Sequence, residues 1–484
     1  RQMCIRDRSK NISDFTQMTI KENLEFLNKL EDPTAKYIID PLKKQLEALE
    51  YIGLSYLTLN RVTTTLSGGE AQRLKLIRHL NSSLSDLVYI IDEPSVGLHP
   101  EDIAKINEIL KSLKDKGNTV LIVEHDPDVI KEGDYIIDMG PGSGKNGGEI
   151  TFEGTYNELL SSNTSTGNAL RNKHNLKENI RESNHFYNIG PVTQNNLNNV
   201  KTSIPKHVLT VLTGVAGSGK STLVKAGFEN NDHTIFIDQK AVQGSNRSNL
   251  LTYLGVFDSV RSFFSKETGL NKAMFSYNSK GACPNCGGKG YIKTELAFMG
   301  DFSQTCEVCH GKRYKQEVLD ATIDGYSIAD VLDLTVDEGI IFFDKKNDIK
   351  SKLQSVSKTG LNYMSLGQPL STLSGGEIQR VKLAQHLDEE IKNSIFIFDE
   401  PTTGLHESDI PILMERFDDL IDQNNTVILI EHNLSIMCEA DWIIDVGPGP
   451  GLDGGKVQFS GTPKNFIDSS ETLTSKHLKR YINQ

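Results

Sequence analysis

The sequence contains no apolar run approaching the roughly eighteen residues of a membrane span, and its first residues, RQMCIRDR, include no apolar signal region. These absences argue against an integral membrane protein and predict a cytoplasmic one. Cysteine is also scarce, with six in 484 residues, four of which form two C-x-x-C pairs. This usage argues against a disulfide scaffold and indicates metal binding in a reducing compartment.

Positive charge is not in excess either. The chain has 52 Lys and Arg residues against 64 Asp and Glu residues, which gives a formal net charge of −12. This balance argues against a protein that coats nucleic acid, although a local basic surface is compatible with it. The hydrophobic content of 37% and the length predict a globular chain of about two to four domains.

The clearest motif is GVAGSGKS, from Gly214 to Ser221, which fits the phosphate-binding pattern G-x-x-x-x-G-K-[ST]. A strand-like apolar run, 208–213, precedes it, and a helical pattern follows. In such a loop the backbone N–H groups cradle phosphates, the lysine reaches the β- and γ-phosphates and the serine can ligate Mg²⁺. The candidate nucleotide-binding residues are Gly214, Gly217, Gly219, Lys220, Ser221 and Thr222.

A second group of motifs contains carboxylates at strand ends. The apolar run 87–91 predicts a buried strand that ends in Asp92 and Glu93, and the run 119–123 predicts another that ends before His125. The carboxyl ends of such strands are where α/β sheets bind ligands. One carboxylate can hold Mg²⁺ and the next can orient or deprotonate a water molecule. A histidine in this position, taken alone, would more often be structural.

The chain also repeats itself at a constant offset of 307 residues. The segments that recur are Gly53-Leu54-Ser55-Tyr56, Leu66-Ser67-Gly68-Gly69-Glu70, Asp92-Glu93-Pro94, Gly97-Leu98-His99, Glu124-His125 and Gly154, which return as Gly360-Leu361-Asn362-Tyr363, Leu373-Ser374-Gly375-Gly376-Glu377, Asp399-Glu400-Pro401, Gly404-Leu405-His406, Glu431-His432 and Gly461. A single Ser-Gly-Gly stretch would be explained by a helix cap. Two copies at fixed spacing predict two copies of one α/β unit.

Two C-x-x-C pairs are separated by nineteen residues, and they consist of Cys283, Cys286, Cys306 and Cys309. This spacing is typical of a tetrahedral Cys₄ zinc site, and four protein ligands leave no open position for catalysis. We therefore expect structural Zn²⁺.

The segment around these cysteines is locally basic and contains interleaved aromatic residues. The relevant side chains are Lys280, Lys289, Lys293, Lys312, Arg313 and Lys315, with Tyr291, Phe298, Phe302 and Tyr314. This pattern favours a DNA-contacting surface. The alternative is a solvated zinc module whose aromatic residues pack around its small core.

Leu-Ser-Gly-Gly-Glu, Asp-Glu-Pro and the later His resemble the signature motif, Walker B motif and switch histidine of ATP-binding cassette (ABC) ATPases. The longer sequence motifs are specific for one family within this class. Residues 66–73 (LSGGEAQR), 92–99 (DEPSVGLH), 195–200 (NNLNNV) and 399–406 (DEPTTGLH) resemble UvrA, the damage-recognition subunit of bacterial nucleotide excision repair. The resemblance covers nearly the whole chain from about Met18.

The resemblance implies an α/β P-loop NTPase with tandem ABC-type cassettes, the first incomplete, and a zinc-binding module inserted in the second. In such ATPases each nucleotide lies between the phosphate loop of one copy and the signature motif of the other. One site would combine the loop Gly214–Ser221 with Gln239, Asp399, Glu400 and His432, closed by Ser67, Gly68 and Gly69. The other would combine Asp92, Glu93 and His125 with Ser374, Gly375 and Gly376. Glu400, His432, Glu93 and His125 would be catalytic, and Gln239, if not simply a surface glutamine, would sense Mg²⁺ and the γ-phosphate.

The second of these sites lacks a phosphate loop, because no G-x-x-x-x-G-K-[ST] pattern precedes Leu66. Either the N-terminal half-cassette has been lost, or the chain is a fragment of a longer protein. The opening octet, which fits nothing after it, favours the fragment. The expected boundaries are 1–65 for the helical part of the first signature region, 66–160 for the C-terminal half of the first cassette, 161–186 for a linker, 187–242 for the start of the second cassette, 243–372 for the second signature region with the Cys₄ module 283–309, and 373–484 for the rest of the second cassette.

The function implied by the resemblance is an ATP-hydrolysing, DNA-binding protein of excision repair, with ATP, Mg²⁺ and Zn²⁺ as cofactors. Damaged double-stranded DNA, a UvrB-like protein and a second copy of the chain are the expected partners, with no membrane partner. Gln239 comes only eighteen residues after Ser221, a short spacing that resembles UvrA-like paralogues associated with resistance to DNA-binding drugs. The ATPase subunit of a transporter is a third hypothesis.

Overall fold

The computed structural model describes residues 10–30, 33–63, 66, 68–80, 84–142, 144–172, 175–240, 248–296, 300–387 and 391–483. Within these ranges, no helix has both the length and the apolar character needed to cross a membrane. The hydrophobic residues form several separate cores, three of which lie in the two repeated units and one in the segment between β-strands of the second unit.

The first copy begins with helices and continues as an α/β unit. Its elements are α1 (Ile12–Gln17), α2 (Ile20–Asn28), α3 (Lys36–Tyr51), α4 (Gly68–Leu80), β1 (Val88–Asp92), α5 (Pro100–Asp115), β2 (Thr119–Val123), α6 (Pro127–Ile130), β3 (Ile136–Gly140), β4 (Glu149–Gly154), α7 (Tyr156–Ser161) and α8 (Ser165–Arg171). Strand β1 pairs with β2 in parallel, and β3 pairs with β4 antiparallel. Leu24, Leu46 and Ile106 are among the residues that join the helices in one core.

The predicted linker 161–186 is partly structured, since α8 lies in it and the following residues pack against the second copy. The Lys177 N–H donates to the carbonyl of Cys438, and the Arg181 side chain pairs with Asp418 at 2.7 Å.

The second copy has a complete central sheet. Its elements are β5 (Phe186–Gln194), β6 (Leu197–Pro205), β7 (Leu209–Thr213), α9 (Lys220–Phe228), β8 (Thr234–Ile237), then α16 (Gly375–Leu387), β13 (Ile395–Asp399), α17 (Ile410–Asp422), β14 (Thr426–Ile430), α18 (Leu434–Glu439), β15 (Trp442–Gly447), β16 (Lys456–Gly461), α19 (Pro463–Ser469) and α20 (Leu473–Ile482). Six strands are ordered β16-β15-β7-β14-β13-β8. All neighbours are parallel except β15 and β16. Parallel strands covered on both faces read as continuous apolar runs, as β7, β13 and β14 do.

Between β8 and α16 the chain forms a mostly helical segment with its own core. Its elements are α10 (Leu250–Tyr253), α11 (Phe257–Thr268), β9 (Tyr291–Leu296), β10 (Gly300–Thr305), α12 (Gln316–Leu319), β11 (Thr322–Ile323), β12 (Tyr326–Ser327), α13 (Ile328–Asp333), α14 (Val336–Phe342) and α15 (Asn347–Lys358). Phe264, Phe275 and Phe343 are fully buried in its core. The cysteine-bearing turns flank the β9–β10 hairpin in sequence.

The two copies share strand register as well as sequence. Val88 pairs with Thr119 as Ile395 pairs with Thr426, and the β3–β4 pair carries the same irregularity after Asp138 as the β15–β16 pair carries after Asp445. Each of these positions differs by the 307-residue offset of the sequence repeat. The repeat therefore extends to backbone geometry.

The prediction that β1 is buried was wrong for one of its faces. Val88 is 67% exposed and Ile90 is 72% exposed. Their equivalents in the second copy, Ile395 and Ile397, are buried in a core that includes α9 and the β5–β6 hairpin. Among the described residues of the first copy, no element takes the place of α9 and that hairpin, so these side chains stay uncovered.

Candidate nucleotide-binding site and cysteine cluster

The phosphate-loop motif lies between β7 and α9, as the sequence predicts. Gly214 has φ +129°, and a Cβ at this position would lie 1.9 Å from the carbonyl oxygen of Val446 on β15. Only glycine fits there. The Lys220 side chain is buried and donates hydrogen bonds to the carbonyls of Gly214 and Val215 at 2.8 and 3.0 Å. Burial lowers the pKa of Lys220 to about 8.

Ser221 lies in the first turn of α9, beside the end of β13. Its Oγ donates to Oδ1 of Asp399 at 3.2 Å, although 178 residues separate the two in sequence. A hydroxyl and a carboxylate side by side at a phosphate loop are ligands that Mg²⁺ accepts. Thr222, the next residue, accepts a hydrogen bond from Asn195 at 3.2 Å. The predicted residues are thus together, and their side chains fit a magnesium ion.

Glu400 follows Asp399 in a left-handed backbone conformation, with φ +54°. Its carboxyl group is buried, and this burial, together with the charges of Asp399 and Glu431, raises the pKa of Glu400 to about 7. A carboxylate with a raised pKa is a stronger base. Gln239 donates from Nε2 to the carbonyl of Glu400 at 3.2 Å and to Oγ1 of Thr403 at 2.9 Å.

His432 is buried, and its Nδ1 makes no hydrogen bond within the described structure. Burial and then the nearby charge of Lys220 hold the pKa of His432 well below its usual value, so the imidazole is neutral. Glu431 positions it, because its carboxylate accepts hydrogen bonds from the N–H groups of Thr402 and His432 at 3.0 and 2.9 Å.

The first copy has the same groups in a more open setting. Glu93 also has a positive φ, +44°, and its Oε1 lies 2.7 Å from Nε2 of His125. This hydrogen bond raises the pKa of His125. Glu124 accepts a hydrogen bond from the N–H of Ser95 at 2.8 Å. In the second copy, Glu431 accepts the equivalent hydrogen bond from the N–H of Thr402. Asp92 ends β1, but within the described residues no phosphate loop lies opposite it.

The loops that follow Glu93 and Glu400 face each other across the two copies. A Cβ on Gly97 would lie 3.0 Å from Oε2 of Glu400, and a Cβ on Gly404 would lie 3.6 Å from Oε1 of Glu93. A cavity of about 170 Å³ lies between them and is lined by residues of both copies, including His125 and Glu431. Each copy thus covers the carboxylate of the other.

Two tyrosines extend this cross-copy arrangement, and the sequence analysis assigned neither to the site. A Cβ on Gly217 would lie 2.9 Å from the Tyr56 ring and one on Gly451 would lie 2.7 Å from the Cβ of Tyr56, while one on Gly144 would lie 2.9 Å from the Cβ of Tyr363. Tyr56 and Tyr363 differ by 307, as do Gly144 and Gly451. The signal was present in the repeat, which contains Gly-Leu-Ser-Tyr and Gly-Leu-Asn-Tyr.

The first signature motif approaches the phosphate loop through Tyr56. Tyr56 Oη donates to Oε1 of Glu70 in the first turn of α4 at 2.5 Å. Gly68 and Gly69 begin α4, whereas Ser67 lies outside the described residues.

The second signature motif is described in full. The Ser374 N–H donates to Glu377 at 2.8 Å, Gly375 lies next to Gln239, and a Cβ on Gly376 would lie 2.2 Å from the carbonyl oxygen of Thr403.

The four predicted metal ligands form one buried cluster. The sulfur atoms of Cys283, Cys286, Cys306 and Cys309 all lie within 4.8 Å of one another, and all four thiols are free. The Gly290 N–H points at the sulfur of Cys286 at 3.2 Å and the Asn285 amide at that of Cys306 at 3.3 Å. Such donors stabilise thiolates, so the cluster fits a tetrahedral metal ion.

The predicted DNA-contacting surface is only partly exposed. Tyr314 is 1% exposed and belongs to the core of the inserted segment, so it is removed from the candidates. Lys312 pairs with Asp330 at 2.9 Å, whereas Lys280 and Lys289 are exposed. Tyr291 is 38% exposed. Phe298 and the side chain of Phe302 lie outside the described residues.

Comparisons with known proteins agree with this geometry. The ABC transporter family matches residues 197–403. The chain is 43% identical to UvrABC system protein A of Clostridium perfringens, over 98% of this chain and 55% of that protein. It is 42% identical to the Aquifex aeolicus protein of the same name, over 98% of this chain and 56% of the relative. The chain therefore spans about half the length of the curated relatives it matches.

Among solved structures, UvrA2 from Deinococcus radiodurans superposes with a TM-score of 0.93 at 37% identity, over all of this chain and 65% of that one. The ABCE1-containing model of a ribosome-bound archaeal complex matches at 18% identity and a TM-score of 0.51, which shows the fold alone. The phosphate loop, the Asp399–Glu400 pair and the mostly parallel sheet agree with the match to the ABC transporter family over residues 197–403. Along almost its whole length the chain is similar to UvrA proteins.

Proposed function

We propose that this chain is the ATP-binding and ATP-hydrolysing part of a UvrA-like protein that recognises damaged DNA in excision repair. The observation that carries the proposal is the meeting of Lys220, Ser221, Asp399 and Glu400 in one site that Gly97 of the other copy covers. This arrangement requires both copies of the repeat, as tandem ABC-type cassettes do. The near full-length similarity to UvrA proteins supports the repair assignment.

In the proposed reaction, the N–H groups of the loop Gly214–Ser221 and the ammonium of Lys220 bind the phosphates. Ser221 and Asp399 would hold Mg²⁺, which neutralises phosphate charge when bound. Glu400 orients the attacking water and takes its proton as the new oxygen–phosphorus bond forms and the bond to the β-phosphate oxygen breaks.

Neutral His432 supplies a hydrogen bond to the γ-phosphate. Gln239 senses the γ-phosphate and couples it to Glu400 and Thr403 through its hydrogen bonds to both residues. The N-terminus of α4, which begins with Gly68 and Gly69, closes this site, as helix N-termini favour anions. The participation of Ser67 stays a prediction from the signature motif.

A second nucleotide site would use Asp92, Glu93 and His125 of the first copy with Ser374, Gly375 and Gly376 of the second. The Gly404–Glu93 approach, which mirrors the Gly97–Glu400 approach, supports this assignment. That site needs a phosphate loop that these residues do not supply. We therefore propose this second site only for a longer UvrA-like protein of which the chain is a part.

The proposed partners are damaged double-stranded DNA, a UvrB-like repair protein and a second copy of the chain, in the cytoplasm. The names of the curated relatives, UvrABC system protein A, support the first two. The exposed lysines beside the cysteine cluster are the candidate contacts to the DNA backbone, since phosphate contacts need cations.

The decisive experiment measures binding of the protein, with ATP at stated salt, to one duplex that carries a single bulky adduct and to the same duplex without it. We expect tighter binding to the adduct, and loss of this difference in Lys220→Ala, because that variant loses the cation that faces the phosphates. Lys201→Ala, an exposed lysine of β6, is the control. Equal binding to both duplexes by the wild type would contradict damage recognition.

We further propose that the cysteine cluster holds structural Zn²⁺. Cys286→Ser should lose the metal and unfold the module, because a structural zinc contributes on the order of 10 kcal/mol in isolated modules. Cys438→Ser is the matched control, since Cys438 is buried but lies in the core of the second copy. Elemental analysis of both purified variants is the measurement. A full metal complement in Cys286→Ser would contradict the proposal.

A further inference from the structure

The histidine that ends the loop over Glu400 is anchored in the other copy. His99 is fully buried, and its Nδ1 accepts a hydrogen bond from the N–H of Glu101 at 3.2 Å. The proton of the neutral ring is therefore on Nε2, which lies 3.0 Å from Oγ1 of Thr474. The Thr474 hydroxyl in turn donates to Oδ1 of Asp445 at 3.3 Å. The result is a directed chain of hydrogen bonds from the first copy into the second.

The far end of this series of hydrogen bonds, Asp445, lies behind the phosphate loop. Asp445 is on β15 and pairs in register with Thr213, the residue before Gly214. Its Oδ1 would lie 3.1 Å from a Cβ on Gly214. The near end lies over the reacting groups, since Gly97, two residues before His99, covers Glu400. The His99 ring also packs edge to face against His432, with centroids 6.0 Å apart.

The same series of hydrogen bonds occurs at the other interface between the copies. Nε2 of His406 lies 3.1 Å from Oγ1 of Thr166, which donates to Oδ1 of Asp138 at 2.7 Å. His406 and Asp138 are equivalent to His99 and Asp445 by the sequence offset of 307, whereas Thr166 and Thr474 differ by 308 and fill the same place from positions one residue apart. An accidental contact would not recur in the symmetric place, so the chain is a built feature of the repeat.

We infer that His99 is a positioning residue of the nucleotide site in the second copy, and that Thr474 and Asp445 form with it a latch between the phosphate loop and the loop 94–99 over Glu400. The inference rests on the proposed ATPase function. His99, Thr474 and Asp445 are not among the residues proposed to bind the nucleotide. Loss of the latch should therefore lower turnover, by misplacing the cover of Glu400, and leave nucleotide affinity nearly unchanged.

The test compares Thr474→Val, which keeps the shape but removes the hydroxyl, with Thr474→Ser, which keeps the hydroxyl. We expect kcat for ATP to fall roughly two- to thirtyfold in the valine variant, the range for residues that couple sites, with nucleotide Kd within about twofold, and the serine variant to restore turnover. Ser475→Ala controls for helix stability, because Ser475 bonds only backbone carbonyls of Ser470 and Thr472. Wild-type kcat in Thr474→Val, or equal impairment in Thr474→Ser, would overturn the latch.

A second measurement separates the latch from the proposed function. Hydrogen exchange of residues 94–99 in the nucleotide-free protein should be faster in Thr474→Val than in the wild type or in Thr474→Ser, because the loop loses its anchor. This readout needs no ATPase activity, so an inactive wild type would refute the proposed function alone. Unchanged exchange in all three proteins would refute the latch alone.

His99→Asn completes the design, since its side-chain oxygen still accepts from Glu101 but is too short to reach Thr474. If the two residues act through one chain, the double variant His99→Asn with Thr474→Val should be no slower than either single variant. Multiplied losses would show that the residues act separately and would overturn the inference.

Discussion

The two copies of the repeated unit have the same strand register, yet their sheets sit in different surroundings. In the second copy, α9 and the β5–β6 hairpin bury Ile395 and Ile397, whereas Val88 and Ile90 of the first copy are largely exposed. The strands that carry Asp92 and Asp399 are nevertheless alike in length and pairing. The pairing of these strands is therefore specified locally, while their burial depends on the phosphate-loop half of a cassette.

The same contrast appears in the two histidines. His125 is partly exposed and bonded to Glu93, which raises its pKa, whereas His432 is buried near Lys220, which lowers its pKa. Identical motifs thus shift the pKa of their histidines in opposite directions. Burial and the phosphate-loop lysine set the direction at His432, because desolvation and a nearby cation both disfavour protonation.

The largest expected difference between the copies is catalytic. In a protein of these 484 residues, Glu400→Gln should lower kcat for ATP about 10²- to 10⁴-fold, the usual contribution of a general base, and keep nucleotide affinity. Glu93→Gln should change kcat by less than about twofold, because no phosphate loop among the described residues faces it. Steady-state ATPase assays measure both. An equal loss of kcat in the two variants would show that the first copy also hydrolyses ATP.

The next difference is in stability, and it uses equivalent positions of the two sheets. Ile397→Ala should lower the free energy of unfolding by about 2–5 kcal/mol, because it opens a cavity in a core. Ile90→Ala should cost less than about 0.5 kcal/mol, since its side chain is 72% exposed. Denaturant unfolding of both variants is the measurement. A large cost at Ile90 would mean that another surface covers this sheet face in solution.

The smallest effect is the titration of the two histidines, followed by NMR. His125 should titrate above the ordinary value of about 6.5, and Glu93→Gln should return it toward that value, while His432 should stay neutral to much lower pH. Because its folded pKa is raised, His125 contributes stability that is complete below about pH 6.5 and is lost as the pH rises through the folded pKa. For His432 the sign is opposite, and stability falls as the pH drops below about 6.5. A His432 signal that titrates above about pH 6.5 would contradict the predicted difference between the two histidines.

Much of the site could be predicted before any fold was known, because its chemistry is written in local spacing. The loop Gly214–Ser221 needs glycines at fixed positions, and two C-x-x-C pairs need only short turns to present their thiols. The repeat at 307 residues also predicted that Asp399 and Glu400 would come at the end of a strand, as Asp92 and Glu93 do. Their roles in catalysis stay predictions until the variants are measured.

Other parts could not be predicted, because they depend on contacts between segments far apart in the chain. Tyr314 looks like an exposed aromatic residue in a basic stretch, yet it is buried beside Tyr277 at a ring distance of 5.7 Å. Tyr56 reaches Gly217 only because the two copies face each other. Thr474, which meets His99 from the other copy, lies 375 residues away in the sequence, and no periodicity indicates this contact.

The sequence by itself determined the phosphate loop, the cysteine ligand set, the strands and the equivalence of the two copies, since each depends on residues within a few turns of one another or on the repeat. Only the tertiary structure decided which sheet face is covered, which histidine is neutral and how the loop of one copy rests on Glu400 of the other. These properties arise from burial and from the electric field of neighbouring groups, and both are set by packing between the copies.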